Sequence, residues 1–184
     1  GERQERNLAW LLKKWPSGYQ TAFRKSVLAD ILQQQYTDYP GFDYHDVLFG
    51  MLAPLYGKVV CLDQLLDQHR IHQANVTQSA SSLSFNKTRL SRINYLQKVI
   101  RRYESVKNIA EERQISETAH RQVARALALT NFRLKFLQSR NPFWALSLMF
   151  QIREYRTIKD FISDLVYTYS LNGLARRLLK KFGR

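Results

Sequence analysis

Two groups of titratable residues in the first half of the chain have the types and spacing to do chemistry. His45 and Asp46 precede an apolar stretch with helical spacing. A carboxylate there can accept a proton, or it can serve only as a favourable charge at a helix N-terminus. Farther along, the guanidinium of Arg70 suits phosphate oxygens but equally suits an ion pair within the scaffold. The imidazole of His72 can bind a divalent ion or can be structural, so both alternatives stay open for each residue.

Length and composition narrow the class of protein that these residues serve. The chain has 184 residues, 45% of them apolar, which fits a folded protein of one domain or at most two. A single cysteine excludes a disulfide framework or a multi-thiolate zinc site and suits a reducing compartment. Glycine-rich phosphate loops, dinucleotide-binding fingerprints, HExxH and GxSxG motifs do not occur in the sequence.

The positive charge is concentrated in the second part of the chain. Residues 1–84 hold eight Lys or Arg and eight Asp or Glu, whereas residues 85–184 hold 21 and seven. The whole net charge of +14 therefore lies in residues 85–184. The polar stretch at residues 78–84 predicts a linker between a first region, residues 1–77, and a basic helical C-terminal extension, residues 85–184.

Hydrophobic periodicity predicts helices throughout the basic part. One apolar face runs from Leu90 to Val106 and a second from Ala119 to Leu137. Asn141 and Pro142 are a typical N-cap and first residue of a third helix. Two further helical stripes are Tyr155, Ile158, Ile162, Leu165 and Tyr169, and then a short segment from Leu171 to Phe182.

The first region has a mixed character. The β-branched run at residues 58–62 predicts a strand, and residues 65–71 and 18–23 are two further candidates. Between them, residues 44–55 have helical spacing, although Gly50 and Pro54 weaken it. The predicted fold class is mostly α with a small β part.

Three clusters between residues 16 and 77 resemble, in this order, the C-terminal half of the catalytic domain of family 2 glycosyltransferases. The closest likeness is to the rhamnosyltransferase-like members that build bacterial surface polysaccharides. The matching text is Gly18 to Lys25, His45-Asp46, Gly57 to Leu66 and His69 to Val76. The likeness covers residues 7–77, and it departs from the family pattern at Val47, Leu65, His69 and Gln73.

This resemblance implies a fold and a set of roles. Residues 1–77 would form the acceptor-side part of a GT-A-type α/β domain. Asp46 would be the general base of an inverting sugar transfer, and His72 would help to hold a divalent metal, Mg²⁺ or Mn²⁺. The residues that would bind donor or acceptor are Gly18, Thr21, His45 and Arg70.

The donor-binding half of the family precedes the matched region. Fifteen residues precede Pro16 here. We therefore expect this chain to be part of a longer enzyme and to be inactive alone. The intact enzyme would take a nucleotide-sugar donor and a saccharide or lipid-linked acceptor.

The C-terminal residues suggest where such an enzyme works. Leu171, Leu174, Leu178 and Phe182 share one helical face, and the predicted membrane contacts beside it are Arg176, Arg177, Lys180 and Lys181. A basic amphipathic helix of this kind can lie on an anionic membrane, which predicts a cytoplasmic protein at the inner membrane face. Apolar residues between Phe143 and Phe150, namely Phe143, Trp144, Leu148, Met149 and Phe150, could add to that contact.

Two alternatives remain for the basic part. The apolar stripes can simply pack helices together while the charges are solvated. The region can also be a non-enzymatic helical module that binds anionic membrane or nucleic acid, although no nucleic-acid recognition motif favours the latter.

Overall fold

The computed structural model describes residues 3–6, 8–13, 21–34, 39–42, 44–62, 88–155 and 157–171. These residues are mostly α-helical with a small β part, which confirms the predicted fold class. The elements are β1 (Arg3–Arg6), α1 (Leu8–Lys13), α2 (Lys25–Gln33), α3 (His45–Tyr56), β2 (Val59–Leu62), α4 (Arg89–Glu112), α5 (Glu117–Ser139), α6 (Pro142–Phe150), a 3-10 turn (Ile152–Glu154) and α7 (Ile158–Thr168).

The chain divides into two compact units. The first contains residues 1–64 and 97–131, and the second contains residues 65–96 and 132–184. The helices α4 and α5 contribute residues to both units. The predicted linker at residues 78–84 lies outside the described residues, so the division into regions 1–77 and 85–184 stays a prediction.

The β part of the first unit is one antiparallel pair. β1 pairs with β2 so that Arg3 lies opposite Leu62 and Arg6 lies opposite Val59. β2 follows the predicted β-branched run, whereas the short polar β1 has no hydrophobic pattern that predicts a strand. Of the other two strand candidates, residues 65–71 and 18–20 lie outside the described residues, and residues 21–23 are not in a strand.

The strand prediction for residues 21–23 is wrong because this segment leads into a helix. It runs in irregular conformation to Arg24, the extended residue that precedes α2. The ring of Phe23 packs on the ring of Phe49 in α3, with centroids 5.6 Å apart. Tertiary packing on a helix, rather than pairing with a strand, fixes the segment.

The core of the first unit is built around α3. Its buried apolar side chains, Val47, Leu48, Met51 and Leu52, recur at the spacing of one helix face and pack in one cluster with side chains of α1, α2, α4 and α5. From α4, Tyr103 and Val106 of the predicted face join this cluster, and so does Val99, which the prediction did not include. Pro54 is accommodated inside α3 close to its C-terminus.

The helix α6 begins where the sequence predicts, whereas α7 begins at Ile158, three residues after the start of the predicted stripe at Tyr155. Asn141 caps α6, accepting a hydrogen bond from the Phe143 backbone N–H at 2.9 Å. In α7, by contrast, Ile158 and Ile162 of the predicted stripe are exposed. The buried face of α7 contains Phe161, Asp164, Val166, Tyr167 and Thr168. The prediction is wrong here because it followed apolar residues, and the buried face contains a carboxylate.

Candidate functional site

The candidate base, Asp46, lies in the first turn of α3. The helix begins at His45, whose side chain is exposed, and the carboxylate of Asp46 is half-buried. Asp46 Oδ1 accepts a hydrogen bond from the Val47 backbone N–H at 2.9 Å. The carboxylate therefore lies at the positive end of the helix dipole and remains partly accessible to solvent. This position is compatible with a proton acceptor and with a helix-terminal charge.

The turn that leads to Asp46 is fixed by α4. Gly41 has φ +97°, a left-handed conformation that favours glycine. Its carbonyl accepts a hydrogen bond from Arg102 Nε at 2.7 Å, and the Pro40 carbonyl accepts one from Ser105 Oγ at 2.9 Å. Both donor residues are buried. A helix of the basic part thus holds the turn that leads into α3.

Thr21 is the other predicted binding residue that the structure describes. It is half-buried, two residues before Phe23, whose ring packs on Phe49. Phe49 is one helical turn beyond Asp46. Packing on α3, the helix that carries Asp46, therefore fixes the segment that carries Thr21.

The remaining predicted site residues lie outside the described residues: Gly18, Arg70, His72, Arg176, Arg177, Lys180 and Lys181. Among the residues that the structure does describe, no cluster of three His, Cys, Asp or Glu side chains could hold a metal ion. The predicted role of His72 in metal binding stays a prediction.

The second unit contains a buried ion cluster that the sequence analysis did not predict. The side chain of Asp164 is fully buried. Its Oδ1 accepts a hydrogen bond from Arg92 Nε at 2.9 Å, and its Oδ2 accepts one from Arg133 Nε at 2.6 Å. The Tyr155 hydroxyl donates to Oδ2 at 3.0 Å. Two cations from α4 and α5 and one phenol thus converge on a single carboxylate.

The electrostatics of this cluster fix its charges. Burial alone would lower the pKa of Arg133, but the charge and the hydrogen bond of the Asp164 carboxylate raise that pKa well above its usual range. Burial also raises the pKa of Tyr155, and the Asp164 carboxylate raises it further, so the phenol stays protonated. Arg92 Nη2 is 3.5 Å from Asp160 Oδ1 and, among the described residues, is buried without a hydrogen bond.

The cluster could have been suspected from one signal in the sequence. Asp164 lies in the middle of α7 with apolar residues before and after it. A carboxylate in such a helix is seldom buried unless it is paired. The sequence gives no indication of which arginines would pair with it, because they lie 72 and 31 residues away.

The helix α6 exposes much of its apolar surface. Phe143, Leu146, Met149 and Phe150 are exposed, while Leu148 is buried and Trp144 packs edge-on against Phe132 with centroids 4.8 Å apart. The predicted apolar contact is therefore partly wrong: Trp144 and Leu148 pack inward, and Leu146 belongs to the exposed set. None of the helices that the structure describes has the length and apolar character to span a bilayer.

Comparisons with protein-family models, curated proteins and solved structures found no match to this chain. The likeness to family 2 glycosyltransferases therefore depends on the motifs of residues 7–77.

Proposed function

We propose that residues 7–77 belong to the acceptor side of an inverting, family 2-like glycosyltransferase. The intact enzyme would transfer a sugar to a saccharide or lipid-linked acceptor in bacterial surface polysaccharide synthesis. The observation that carries the proposal is the half-buried carboxylate of Asp46 at the start of α3. It follows a turn held by Arg102 and Ser105, and β2 comes directly after the helix, in the order of the family's motifs.

In this proposal Asp46 accepts the proton of the acceptor hydroxyl. The hydroxyl oxygen attacks the anomeric carbon of the donor sugar while the bond to the nucleoside diphosphate breaks, so configuration at that carbon inverts. A general base is useful only within hydrogen-bond reach of the proton that it takes. The N-terminus of a helix is a favourable place for a negatively charged side chain.

The remaining parts of the site are proposed from the resemblance. The donor would be a nucleotide sugar, bound by residues that precede the matched region in the family and contacted by Arg70. Gly18, Thr21 and His45 would line the acceptor side. A divalent ion, Mg²⁺ or Mn²⁺, held with the help of His72, would supply charge neutralisation for the diphosphate. The proposed location is cytoplasmic, at the inner membrane face.

The test is Asp46→Asn in the intact protein that contains this chain. Transfer from labelled nucleotide sugars to a lipid extract of the source membrane is measured, together with donor binding by calorimetry. We expect turnover to fall by about 10²–10⁴-fold, the usual contribution of a general base. Donor binding should be retained because Asp46 contacts the acceptor in this scheme.

The matched control is Asp30→Asn, since Asp30 is an exposed aspartate on α2. Both variants should fold, because loss of the Asp46 charge at a helix terminus costs about 0.3–1 kcal/mol and because Asp30 is exposed. Unchanged turnover in Asp46→Asn would remove this residue from the proposed role.

A second candidate function is the non-enzymatic basic helical module. The exposed apolar residues of α6 favour its membrane form over its nucleic-acid form, because phosphate backbones are bound by cations rather than by apolar side chains. An intact protein that transfers no sugar yet binds anionic vesicles would support this candidate.

A further inference from the structure

The four exposed residues of α6 form one apolar surface, which we call the α6 face: Phe143, Leu146, Met149 and Phe150. Their side chains are 75%, 58%, 59% and 90% exposed. Phe143, Leu146 and Phe150 are spaced at three and four residues, so they share one side of the helix, and Met149 lies beside them. Single exposed apolar residues are ordinary, but a contiguous apolar patch on a folded protein marks an interaction site.

The charges around the α6 face point to an anionic partner. Arg140 lies just before α6 and Arg153 just after it, and both are exposed. Residues 132–184 contain eleven Lys or Arg and three Asp or Glu, a net charge of 11 − 3 = +8. Two of the three acidic residues, Asp160 and Asp164, already pair with arginines. The cations at both ends of α6 therefore face solvent in a strongly positive region.

The length of α6 decides how it can meet a bilayer. Nine residues of helix are about 13 Å long, whereas the hydrocarbon core of a membrane is about 30 Å thick. The helix is too short to cross, and it is apolar on both sides: Leu148 and Trp144 are turned toward the protein, and the α6 face is turned away. An exposed apolar face can be buried at the boundary between headgroups and acyl chains, and cations that flank it are then placed near the anionic headgroups.

We infer that α6 docks the protein on an anionic lipid surface. The α6 face inserts among the acyl chains, and Arg140 and Arg153 contact headgroup phosphates. This inference deepens the proposed function, on which it depends for its purpose, because docking would keep the protein at the surface that contains a lipid-linked acceptor. It assigns the contact to α6, independently of the predicted contacts in the C-terminal tail at Arg176, Arg177, Lys180 and Lys181.

The test is flotation of the 184-residue chain with two kinds of vesicle, phosphatidylcholine alone and phosphatidylcholine with phosphatidylglycerol. Leu146→Ser and Leu32→Ser are a matched pair, because each leucine lies on a helix and is 58% exposed, but Leu32 is on α2. We expect Phe150→Ser to weaken binding to the anionic vesicles by at least about tenfold and Leu146→Ser by severalfold. Leu32→Ser should have no effect.

The electrostatic part is tested with Arg140→Glu and Arg153→Glu. Each should weaken binding to anionic vesicles by about fivefold or more, corresponding to about 1 kcal/mol for each basic residue near the surface. Added salt should weaken the binding of the wild-type chain, and duplex DNA should not compete with the vesicles. Effective competition by DNA together with unchanged binding in Phe150→Ser would overturn the inference in favour of nucleic acid.

Three further results would overturn it. If replacing the four tail cations by Gln abolishes vesicle binding while Phe150→Ser does not weaken it, the contact belongs to the tail. If Phe150→Ser lowers the stability of the chain far more than Leu32→Ser, the α6 face is covered within the protein. If it instead converts a dimer to a monomer without changing vesicle binding, the occupant is a second copy. Flotation needs no sugar donor, so its outcome is separate from that of Asp46→Asn.

Discussion

Replacing Asp164 by Asn should destabilise the second unit strongly. The change keeps the shape of the side chain but removes the only charge that lies within hydrogen-bond distance of both Arg92 Nε and Arg133 Nε among the described residues. The amide also places two N–H donors where a carboxylate accepts four hydrogen bonds from side chains. The N–H groups of Arg92 and Arg133 would then face an Asn amide, whose single oxygen can accept only some of their hydrogen bonds.

The expected magnitude follows from burial. Removing one partner of a buried ion pair typically costs about 3–5 kcal/mol, because the remaining charge stays buried without compensation. Asp164 is fully buried, and the side chains of Arg92 and Arg133 are only 15% and 12% exposed, so the full range applies. This is a large part of the roughly 5–15 kcal/mol that stabilises an ordinary domain.

The assay is denaturant unfolding of the 184-residue chain followed by far-ultraviolet circular dichroism. Asp160→Asn is the control, since Asp160 lies 3.5 Å from Arg92 Nη2 and its side chain is 31% exposed. It should cost about 1 kcal/mol or less. A loss for Asp164→Asn as small as that of the control would refute the argument. In a double-mutant cycle, Arg133→Met and Asp164→Asn should be strongly non-additive.

Two further predictions test backbone geometry and ionisation. Gly41→Ala should cost about 2 kcal/mol or more in unfolding free energy, because the new Cβ would lie 2.9 Å from both Cγ and the backbone N of Arg102 at a φ of +97°. Gly57→Ala, where no atom lies within 4 Å of the added Cβ, should change stability little. The pKa of Tyr155 is higher in the folded protein than in the unfolded chain, where a tyrosine titrates at about pH 10. The contribution of Tyr155 to the free energy of unfolding is therefore complete below about pH 10 and is lost as pH rises further. The stability difference between wild type and Tyr155→Phe should therefore narrow by about 1.4 kcal/mol for each pH unit above 10; a constant difference would contradict the burial of a protonated phenol.

The sequence predicts α4, α5 and the start of α6 well because their signals are local. The apolar periodicity of α4 and α5, and the Asn-Pro start of α6, depend on residues within a few turns of each other. Even there, Leu90 at the start of the predicted α4 face is exposed. Periodicity identifies a face but does not show how far along the helix that face is covered.

The features that sequence reasoning missed depend on contacts between distant residues. β1 has the polar sequence RQER and exists as a strand through its pairing with β2, more than 50 residues away. The Asp164 cluster likewise needs three segments to meet. Asp46 could be placed because its helix start is local, whereas its functional partners remain predictions. No spacing rule relates residues that only tertiary structure brings together.

The positive charge of residues 85–184 overstates what is available to a partner. Arg102 is buried and donates a hydrogen bond to the Gly41 carbonyl, and Arg92 and Arg133 pair with the buried carboxylate of Asp164. Such cations stabilise the fold and cannot reach a phosphate on another molecule. Reversing one of them would therefore lower vesicle or nucleic-acid binding by unfolding the protein, and it would be mistaken for a lost contact. Exposed cations beside an apolar face, such as Arg140 and Arg153, are the ones whose reversal separates binding from folding.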